Sequence, residues 1–284
     1  MVVIDGKQIS SKIYDDTKKE IKELKAKYNQ APCLATVVVG KDKSSKIYVQ
    51  KREKMCEKIG IASRICDLPE NSKEDDVLEM IGKLNNDENV HGIIVQVPLP
   101  KHINEKNVSE TISPEKDVDC MNPANLGRLA SNDETFAPCT PKAVITILEK
   151  SGIKIRGKDV VIVGRSRIVG RPLALMLINR DATVTVCHTK TKNLEKHTKN
   201  ADILVAAAGS PMLIKNEMVK ENAVVVDIGI NVVNNNIVGD VDFENIKNKA
   251  SFITPVPGGV GPVTVAMIMK NTLEAFKRFL RCKV

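Results

Sequence analysis

A phenol and two cationic side chains lie within one turn of a predicted helix. Tyr48 falls in the segment 44–59, which has helical character, and Lys51 and Arg52 follow it three and four residues later. Residues at these spacings share a helix face, so both cations are expected to project near the phenol. A phenol beside cations can orient a substrate or transfer a proton. A solvated basic helix face is the simpler interpretation of the same spacing.

Two further polar residues stand where a parallel sheet would present them to a ligand. Gln96 ends the predicted strand 93–97, and Asp119 belongs to Lys116-Asp-Val-Asp119 in a proline-rich connection, 113–141. Side chains at the carboxyl ends of parallel strands face the ligand crevice of open α/β sheets. The Asp119 carboxylate can accept hydrogen bonds from an amino-substituted heterocycle. A carboxylate that caps a turn is the competing interpretation.

A glycine-bounded loop follows a buried strand in the second half of the chain. Gly164-Arg-Ser-Arg-Ile-Val-Gly170 lies between strand 158–163 and a helix, with Pro172 expected at its first position. This is the context of a dinucleotide phosphate loop, although the spacing departs from G-x-G-x-x-G. A plain strand-to-helix turn is the alternative.

The next predicted strand, 183–187, distinguishes between cofactors. It ends in Cys187-His-Thr-Lys190 without a carboxylate, and Arg165 lies in the neighbouring loop. NAD enzymes commonly place an acidic residue near this point to bind the ribose 2′-OH. Hydroxyl and cationic groups suit a 2′-phosphate instead, so the sequence favours NADP.

Helices and short apolar strands alternate along most of the chain, which predicts parallel β-α units. Helices are expected at 10–28, 44–59, 72–84 and 263–280, and strands at 34–39, 63–68, 90–97, 158–163, 183–187, 203–207 and 223–228. Asn234 to Asn236 reads as a hairpin turn, and the last helix is long enough to pack back on the first domain.

Composition narrows the class of protein. The chain has 284 residues, 43 Lys and Arg against 35 Asp and Glu for a net charge of +8, and 3% aromatic residues without Trp. Few stacking aromatics argue against a single-stranded nucleic-acid binder. Seven cysteines without C-x-x-C spacing argue against zinc or disulfides, and no apolar run or leader indicates a membrane or secreted protein. A cytoplasmic protein without a metal is expected.

Six motifs occur together and in one order: Val39-Gly-Lys-Asp-Lys-Ser-Ser-Lys-Ile-Tyr-Val49, Val95-Gln-Val-Pro-Leu-Pro100, Lys116-Asp-Val-Asp119, Pro138-Cys-Thr-Pro141, Val163-Gly-Arg-Ser-Arg-Ile-Val-Gly-Arg-Pro172 and Thr254-Pro-Val-Pro-Gly-Gly-Val-Gly-Pro262. Together they resemble the bifunctional methylenetetrahydrofolate dehydrogenase/cyclohydrolase family across nearly the whole chain.

The resemblance implies a two-domain α/β fold with a cleft between the domains. Residues 1–140 would form a folate-binding catalytic domain, completed by the helix 263–284, and residues 141–262 an NADP-binding Rossmann domain. It implies a homodimer that oxidises 5,10-methylenetetrahydrofolate with NADP⁺ and then hydrolyses the methenyl product to 10-formyltetrahydrofolate. Substrates carrying several glutamyl carboxylates would suit the basic charge.

Site residues follow from the resemblance by position. The catalytic group would comprise Tyr48, Arg52, Gln96 and Asp119, with Gln96 orienting the catalytic lysine and Asp119 holding the pterin. The other folate-binding residues would be Lys51, Leu99, Pro255, Gly258, Gly259 and Thr264. The dinucleotide contacts would be Gly164, Arg165, Ser166, Thr189 and Ile230.

The chain departs from the family pattern at the centre of this site. The family has lysine four residues after the tyrosine, where this chain has Arg52, and glycine after the aspartate, where it has Cys120. Met121 and Asn122 also replace an aromatic-His pair. A guanidinium cannot serve as a base, so we expect the dehydrogenase to persist and the cyclohydrolase to be weak or lost. The alternative is a fully bifunctional enzyme in which Lys51 substitutes.

Three other classes of function compete with this one. They are an NADP oxidoreductase for a small amino or hydroxy acid, a non-catalytic nucleic-acid binder, and a folate-binding subunit that has lost both activities. Binding of a folate analogue separates the first, and salt-dependent binding to arbitrary DNA or RNA separates the second. The intact loop from Gly164 to Gly170 argues against the third.

Overall fold

The computed structural model describes residues 1–40 and 43–283, with the backbone alone for 43–47. It divides into two compact units. The three-stranded unit comprises Lys12–Arg128, Thr135–Cys139 and Val265–Val284, and the six-stranded unit comprises Met1–Ser11, Leu129–Glu134 and Thr140–Thr264.

Ten α-helices, one short 3₁₀-helix (Asn216–Met218) and eleven strands occur in the part of the chain that the structure describes. The helices are α1 (Gly6–Tyr28), α2 (Lys43–Ile59), α3 (Glu74–Asn86), α4 (Glu105–Thr111), α5 (Pro123–Ala130), α6 (Cys139–Lys150), α7 (Gly170–Ile178), α8 (Leu194–Thr198), α9 (Phe243–Ile246) and α10 (Val260–Cys282). The strands are β1 (Val2–Val3), β2 (Cys33–Val39), β3 (Ala62–Leu68), β4 (Gly92–Val95), β5 (Asp159–Val163), β6 (Thr183–Cys187), β7 (Ile203–Ala206), β8 (Val224–Asp227), β9 (Asn231–Val233), β10 (Asn236–Val238) and β11 (Phe252–Ile253).

The smaller sheet has the order β3-β2-β4, and both pairings are parallel. Alternate residues of β2 point to opposite faces of the sheet. Ala35, Val37 and Val39 pack in one apolar cluster with residues of α3 and α4. The opposite face of β2 presents Thr36, which is buried but polar. Thr36 is the residue of β2 that contacts the candidate site.

The larger sheet has the order β1-β11-β8-β7-β5-β6, with every neighbouring pair parallel. From β5 the chain adds β6 on one side and then returns to add β7 on the other. The carboxyl ends of β5 and β7 therefore flank a topological switch point, where open α/β sheets bind their ligands. The predicted parallel α/β architecture is confirmed.

The first residues of the chain belong to a different unit from the one predicted. β1 pairs in parallel with β11, and Val2 donates a backbone hydrogen bond of 2.7 Å to Ser251. These contacts place Met1–Ser11 in the six-stranded unit, whereas the sequence prediction gave 1–140 to the other domain. Two residues are too short a strand to be recognised from their own pattern.

The proline-rich connection 113–141 is more regular than expected. It contains all of α5 and the start of α6, and α4 lies just before it. Pro123 is the first residue of α5, a position that tolerates its missing N–H. Pro172 is the third residue of α7 rather than the first, because that helix already begins at Gly170.

The hairpin prediction is confirmed. β9 and β10 pair antiparallel, and only Asn234 and Asn235 separate them. Both residues have positive φ, 49° and 62°, as a two-residue hairpin turn of type I′ requires. Asn236 itself is the first residue of β10.

The described residues contain neither a candidate membrane span nor a metal-binding cluster. No helix there combines the length and apolarity that a membrane span needs. No group of three or more His, Cys, Asp or Glu side chains there is arranged to hold a metal ion.

Candidate functional site

Helix α2 carries Arg52 into the interior of the three-stranded unit. Arg52 is 3% exposed, and its Nη2 donates a hydrogen bond of 3.2 Å to Thr36 Oγ1 on β2. The guanidinium carbon lies 5.8 Å from the centroid of the Tyr48 ring, within range of a cation–π interaction. Tyr48 itself is 39% exposed. The phenol therefore stands at the surface with the cation directly beneath it.

Lys51 has a different environment from Arg52. It is exposed, and no hydrogen bond or ion pair among the described side chains joins it to Tyr48. The guanidinium of Arg52 lies near the phenol as expected, whereas Lys51 is exposed and its place beside Tyr48 stays a prediction. Successive residues on a helix differ by about 100° in direction, and this rotation separates the buried cation from the solvated one.

Asp119 completes a polar cluster with Tyr48 and Arg52. Burial raises the pKa of Asp119, an effect that Cys139 and the Arg52 charge oppose. Burial likewise raises the pKa of Tyr48, against the lowering effect of Arg52, with Asp119 raising it further. Burial lowers the pKa of Arg52, although a guanidinium stays protonated in proteins. One phenol, one fixed cation and one carboxylate thus influence each other's charge in a single site.

Cys139 and Asn271 contact the backbone and the carboxylate of this cluster. Neither of them was predicted from the sequence as a site residue. The Cys139 N–H lies 3.4 Å from Asp119 Oδ1, and its thiol donates to the Val118 carbonyl at 3.3 Å. Asn271 on α10 donates from Nδ2 to the Val118 carbonyl at 2.7 Å and the Ala137 carbonyl at 3.1 Å. A buried asparagine in an apolar helix was the available signal, because such a group must find hydrogen-bond partners.

The turn that follows Asp117 determines the backbone at Cys120. Asp117 is fully buried, and its carboxylate accepts hydrogen bonds from the N–H groups of Met121 and Asn122 at 2.9 and 2.8 Å and from Asn125 Nδ2 at 2.9 Å. Cys120 is buried and has a φ of +55°. Glycine adopts this region freely, whereas a side chain makes it costly. The expectation that the family's glycine allows a backbone conformation that a side chain disfavours is confirmed.

Gln96 lies just beyond β4, which ends two residues earlier than predicted. Its backbone N–H donates to the Val37 carbonyl at 2.9 Å, and its Nε2 donates to the Val97 carbonyl at 3.0 Å. Among the described residues it makes no hydrogen bond to Arg52. Leu99 and Asp119 both line a cavity of about 20 Å³, which lies between β4, α4 and the 117–121 segment.

Close backbone contacts explain both glycines of the loop that follows β5. Gly164 has a φ of +134°, and a methyl group there would lie 2.1 Å from the Ala207 carbonyl oxygen after β7. A methyl group at Gly170 would lie 2.1 Å from the Gly164 carbonyl oxygen. The loop is thus folded against the switch point and leads directly into α7. This is the close approach that a dinucleotide phosphate loop requires.

Exposed polar groups surround this loop, as binding a dinucleotide phosphate requires. Arg165 and Ser166 are exposed, and so is Thr189 beyond the end of β6. His188 donates its N–H to Thr191 Oγ1 at 2.8 Å and accepts a 3.1 Å hydrogen bond from the Lys190 N–H at Nδ1. A turn rich in hydroxyl and cationic groups fits a 2′-phosphate. The residues present therefore fit NADP.

The remaining predicted residues lie on two segments of the six-stranded unit. Ile230 follows β8 and is 70% exposed. The turn from Pro255 to Gly259 is closed by a hydrogen bond of 2.9 Å from the Gly259 N–H to the Pro255 carbonyl. Thr264 Oγ1 donates to the Val260 carbonyl at 3.2 Å within the first turn of α10.

Gly6 packs against the same turn, a contact that the sequence gave no reason to expect. Its N–H donates to the Gly258 carbonyl at 3.0 Å. A methyl group at Gly6 would lie 1.8 Å from the Gly259 carbonyl oxygen. The first helix thus requires glycine at its start for packing on this turn.

A parallel six-stranded sheet with a glycine loop at its switch point, joined in one chain to a second α/β unit, defines a two-domain dinucleotide-binding protein. Two family models match the chain: tetrahydrofolate dehydrogenase/cyclohydrolase, catalytic domain, over residues 4–119, and the NAD(P)-binding domain of the same family over residues 138–280. The chain belongs to the tetrahydrofolate dehydrogenase/cyclohydrolase family. The resemblance inferred from its motifs is confirmed.

Individual relatives match over almost their whole length. The bifunctional protein FolD of Caldanaerobacter subterraneus is 51% identical over 276 residues, which cover 97% of each chain. That of Aquifex aeolicus is 51% identical over 278 residues, covering 98% of this chain and 96% of the relative.

Two solved structures have the same fold throughout. The FolD dehydrogenase/cyclohydrolase of Campylobacter jejuni has a TM-score of 0.96 at 47% identity and covers 98% of this chain and 99% of its own. The Trypanosoma brucei enzyme, solved with NADP and an inhibitor, has a TM-score of 0.96 at 40% identity, with 99% of both chains covered.

Proposed function

We propose that this protein oxidises 5,10-methylenetetrahydrofolate to the 5,10-methenyl form with NADP⁺ and has little or no cyclohydrolase activity. One observation carries the second half of the proposal. The family's lysine position is occupied by Arg52, which is buried beneath Tyr48 and hydrogen-bonded to Thr36. The first half is supported by the family, by the tight loop after β5 and by relatives named as dehydrogenase/cyclohydrolase enzymes.

The dinucleotide would be held at the carboxyl edge of the six-stranded sheet. The backbone N–H groups of Arg165 and Ser166, and that of Gly170 at the start of α7, would bind the pyrophosphate, because the Gly164 N–H donates to the Cys187 carbonyl at 2.9 Å. Arg165 and Thr189 would contact the 2′-phosphate, and Ile230 would pack against the dinucleotide. NADP⁺, when bound, supplies the redox chemistry by accepting a hydride, and the protein orients the reacting carbon.

The folate would be bound by the polar cluster of the three-stranded unit. Asp119 would accept hydrogen bonds from the amino-substituted pterin, with Tyr48 beside it and Gln96, Lys51 and Leu99 around them. Burial raises the pKa of the Asp119 carboxyl and of the Tyr48 phenol. The turn from Pro255 to Gly259 and Thr264 would complete the folate contacts.

Arg52 affects the two reactions differently. Oxidation transfers a hydride and needs no side-chain base, and a fixed cation beside Tyr48 can still orient the substrate. Hydrolysis needs a group that takes a proton from water as it adds to the methenyl carbon. A guanidinium cannot take that proton. Lys51, the residue that would substitute in a fully bifunctional enzyme, is exposed.

Two absorbance assays on the purified protein test the proposal. One follows methylenetetrahydrofolate oxidation with NADP⁺ or NAD⁺, and the other follows methenyltetrahydrofolate decay against the enzyme-free rate. We expect oxidation that prefers NADP⁺ and decay within about twofold of the enzyme-free rate. Decay accelerated a hundredfold would show a working cyclohydrolase and overturn the loss of that activity. No oxidation with either cofactor would overturn the dehydrogenase.

Three further properties are proposed from the resemblance. The protein would be a homodimer, it would act in the cytoplasm, and it would accept polyglutamylated folates because its net charge is +8. Sedimentation of the purified protein tests the first. KM values for mono- and polyglutamylated substrates at two salt concentrations test the third, since screening weakens charge attraction.

A further inference from the structure

The carboxylate of Asp240 joins two loops of the six-stranded unit. Its Oδ2 accepts hydrogen bonds from the N–H groups of Ala208 at 2.6 Å and Gly209 at 2.9 Å. Its Oδ1 accepts from the Ser210 N–H at 2.9 Å and from Asn231 Nδ2 at 2.9 Å. Asp240 is 0% exposed, whereas Ala208 and Gly209 are exposed. A buried anion thus anchors two surface segments from below.

Both segments follow strands whose carboxyl ends face the proposed dinucleotide site. The first, 207–210, follows β7, and its Ala207 carbonyl oxygen is the atom that excludes a side chain at Gly164. The second, 229–231, follows β8 and contains Ile230, the exposed residue matched to a dinucleotide contact. A methyl group at Gly229 would lie 2.3 Å from Asp240 Oδ1, so this segment packs directly on the carboxylate.

A second carboxylate fixes Asp240 in turn. Asp227, at the end of β8, accepts hydrogen bonds from the Asp240 N–H at 3.0 Å and the Val241 N–H at 2.9 Å. The Asp227 N–H donates to Thr254 Oγ1 at 2.7 Å, at the start of the turn proposed to flank the folate. Thr254, Asp227 and Asp240 therefore form a continuous hydrogen-bonded series.

We propose that Asp240 is a positioning residue for NADP binding, one that holds the 207–210 and 229–231 segments in the conformation the dinucleotide needs. The inference rests on the proposed use of NADP. Asp240 itself lies beneath the segments and acts through them. Its role needs two acceptor oxygens, because four donors converge on them and an amide would present an NH₂ group to some of these donors.

The test compares Asp240→Asn with Asp202→Asn in the full-length protein. Asp202 lies just before β7, at the opposite end of the same sheet, and its carboxylate accepts hydrogen bonds from Lys220 Nζ at 2.6 Å and the Asp159 N–H at 3.2 Å. It matches Asp240 in residue type and in joining separate segments through its carboxylate, but it is partly exposed, is bound by a lysine and lies away from the proposed dinucleotide site. Dissociation constants for NADP⁺ and NAD⁺ are measured calorimetrically well below the melting temperature, together with the melting temperature and the affinity for a folate analogue.

We expect Asp240→Asn to raise both dinucleotide dissociation constants by about tenfold or more, because it removes charge-assisted hydrogen bonds from the binding segments. The ratio of the two constants should stay within about twofold, since neither segment is assigned to the 2′-phosphate. Affinity for the folate analogue should not change. Asp202→Asn should lower the melting temperature without weakening dinucleotide binding.

A lower melting temperature with unchanged dinucleotide affinity in Asp240→Asn would overturn the proposal, because it is the result of a purely structural role. If Asp240→Asn does not fold, Asn231→Ala decides, since it removes one of the four donors and leaves the carboxylate in place. We expect a rise of about threefold in both constants from that change. No rise would again overturn the proposal. If the wild-type protein binds neither dinucleotide, the proposed function fails before Asp240 is tested.

Discussion

Arg52 donates a hydrogen bond of 3.2 Å to Thr36, and this contact joins the proposed catalytic helix to the central strand of its sheet. Thr36 is a buried hydroxyl among apolar neighbours, and a buried hydroxyl needs a partner. The contact therefore fixes where the guanidinium lies under Tyr48. It also keeps a permanently charged group at the position where the family has a lysine.

Arg52→Lys should restore hydrolysis of methenyltetrahydrofolate. A lysine amine can lose its proton when it is buried, whereas a guanidinium cannot. We expect the decay rate to rise by at least about tenfold over the wild type, within the usual range for a positioned acid or base. Arg64→Lys is the control, since Arg64 lies on β3 with its side chain 48% exposed and ion-paired to Asp87. An unchanged rate in Arg52→Lys would move the cause of the loss to Cys120.

Lys51→Ala should leave the methenyl decay rate within about twofold of the wild type, because Lys51 is solvated and makes no hydrogen bond to Tyr48 among the described residues. The measurement is the same absorbance assay at saturating substrate. A decay rate that is high in the wild type and lost in Lys51→Ala would establish that this lysine performs the hydrolytic step.

The free energy of unfolding of Cys120→Gly should exceed that of Cys120→Ala by about 0.5–1 kcal/mol. Both variants lose the sulfur, but alanine keeps the cost of a positive φ, which glycine avoids. Cys56 provides the matched control, because it is equally buried but lies inside α2. There alanine should be more stable than glycine by about 1 kcal/mol. Urea unfolding of all four variants measures the two differences, and the same order at both positions would contradict the strained backbone at Cys120.

Gly164→Ala should lose most of its affinity for NADP⁺ and unfold more easily, since its methyl group would lie 2.1 Å from the Ala207 carbonyl oxygen. Gly157→Ala is the control, because Gly157 also has a positive φ, +71°, but open space around it. The control should cost about 1 kcal/mol of stability and bind NADP⁺ normally. Calorimetric titration and thermal unfolding separate the two effects. Equal NADP⁺ affinity in both variants would show that the close contact at Gly164 does not serve the dinucleotide.

Asp117 should make the protein less stable as pH rises from about 4 to 6. Burial raises its pKa to about 6, against hydrogen bonds from Asn122, Met121 and Asn125 that lower it. A pKa above the unfolded value of about 3.9 means that the native state binds more protons across this window, so deprotonation opposes folding.

The free energy of unfolding of wild type minus that of Asp117→Asn isolates this contribution. It should fall by up to roughly 3 kcal/mol between pH 4 and pH 7 and then stay level. Urea unfolding at a series of pH values measures it. A difference that increases with pH would mean that the hydrogen bonds outweigh burial.

The sequence predicted best those features that depend on local pattern. Apolar runs predicted the bounds of β2, β5, β6 and β7 within a residue or two. The run of three asparagines, a residue type that tolerates positive φ, predicted the hairpin turn. The glycines at 164 and 170 were recognised from their place between a strand and a helix. Each of these signals lies within a few residues of the feature it predicts.

Contacts between distant parts of the chain were not predictable. Nothing in Val2 and Val3 indicates that they pair with β11, about 250 residues away. The burial of Arg52 against Thr36 and the convergence of Ala208 to Ser210 on Asp240 depend on how strands are ordered in space. The sequence predicted Lys51 and Arg52 on one helix face, and which of the two is buried depends on the side of α2 that packs on the sheet.

Asn271 on α10 donates hydrogen bonds to the backbone of Val118 and Ala137, so the unit that carries Tyr48 and Asp119 includes residues synthesised after the six-stranded unit. The 125 residues of the other unit from Thr140 to Thr264 are translated between Cys139 and Val265. At roughly 5–20 residues per second, the ribosome needs on the order of 6–25 s for them. Throughout that interval the three-stranded unit lacks its final helix and exposes the apolar surface that α10 covers. The six-stranded unit is complete first, and a chaperone that binds nascent chains is expected to act on the N-terminal half.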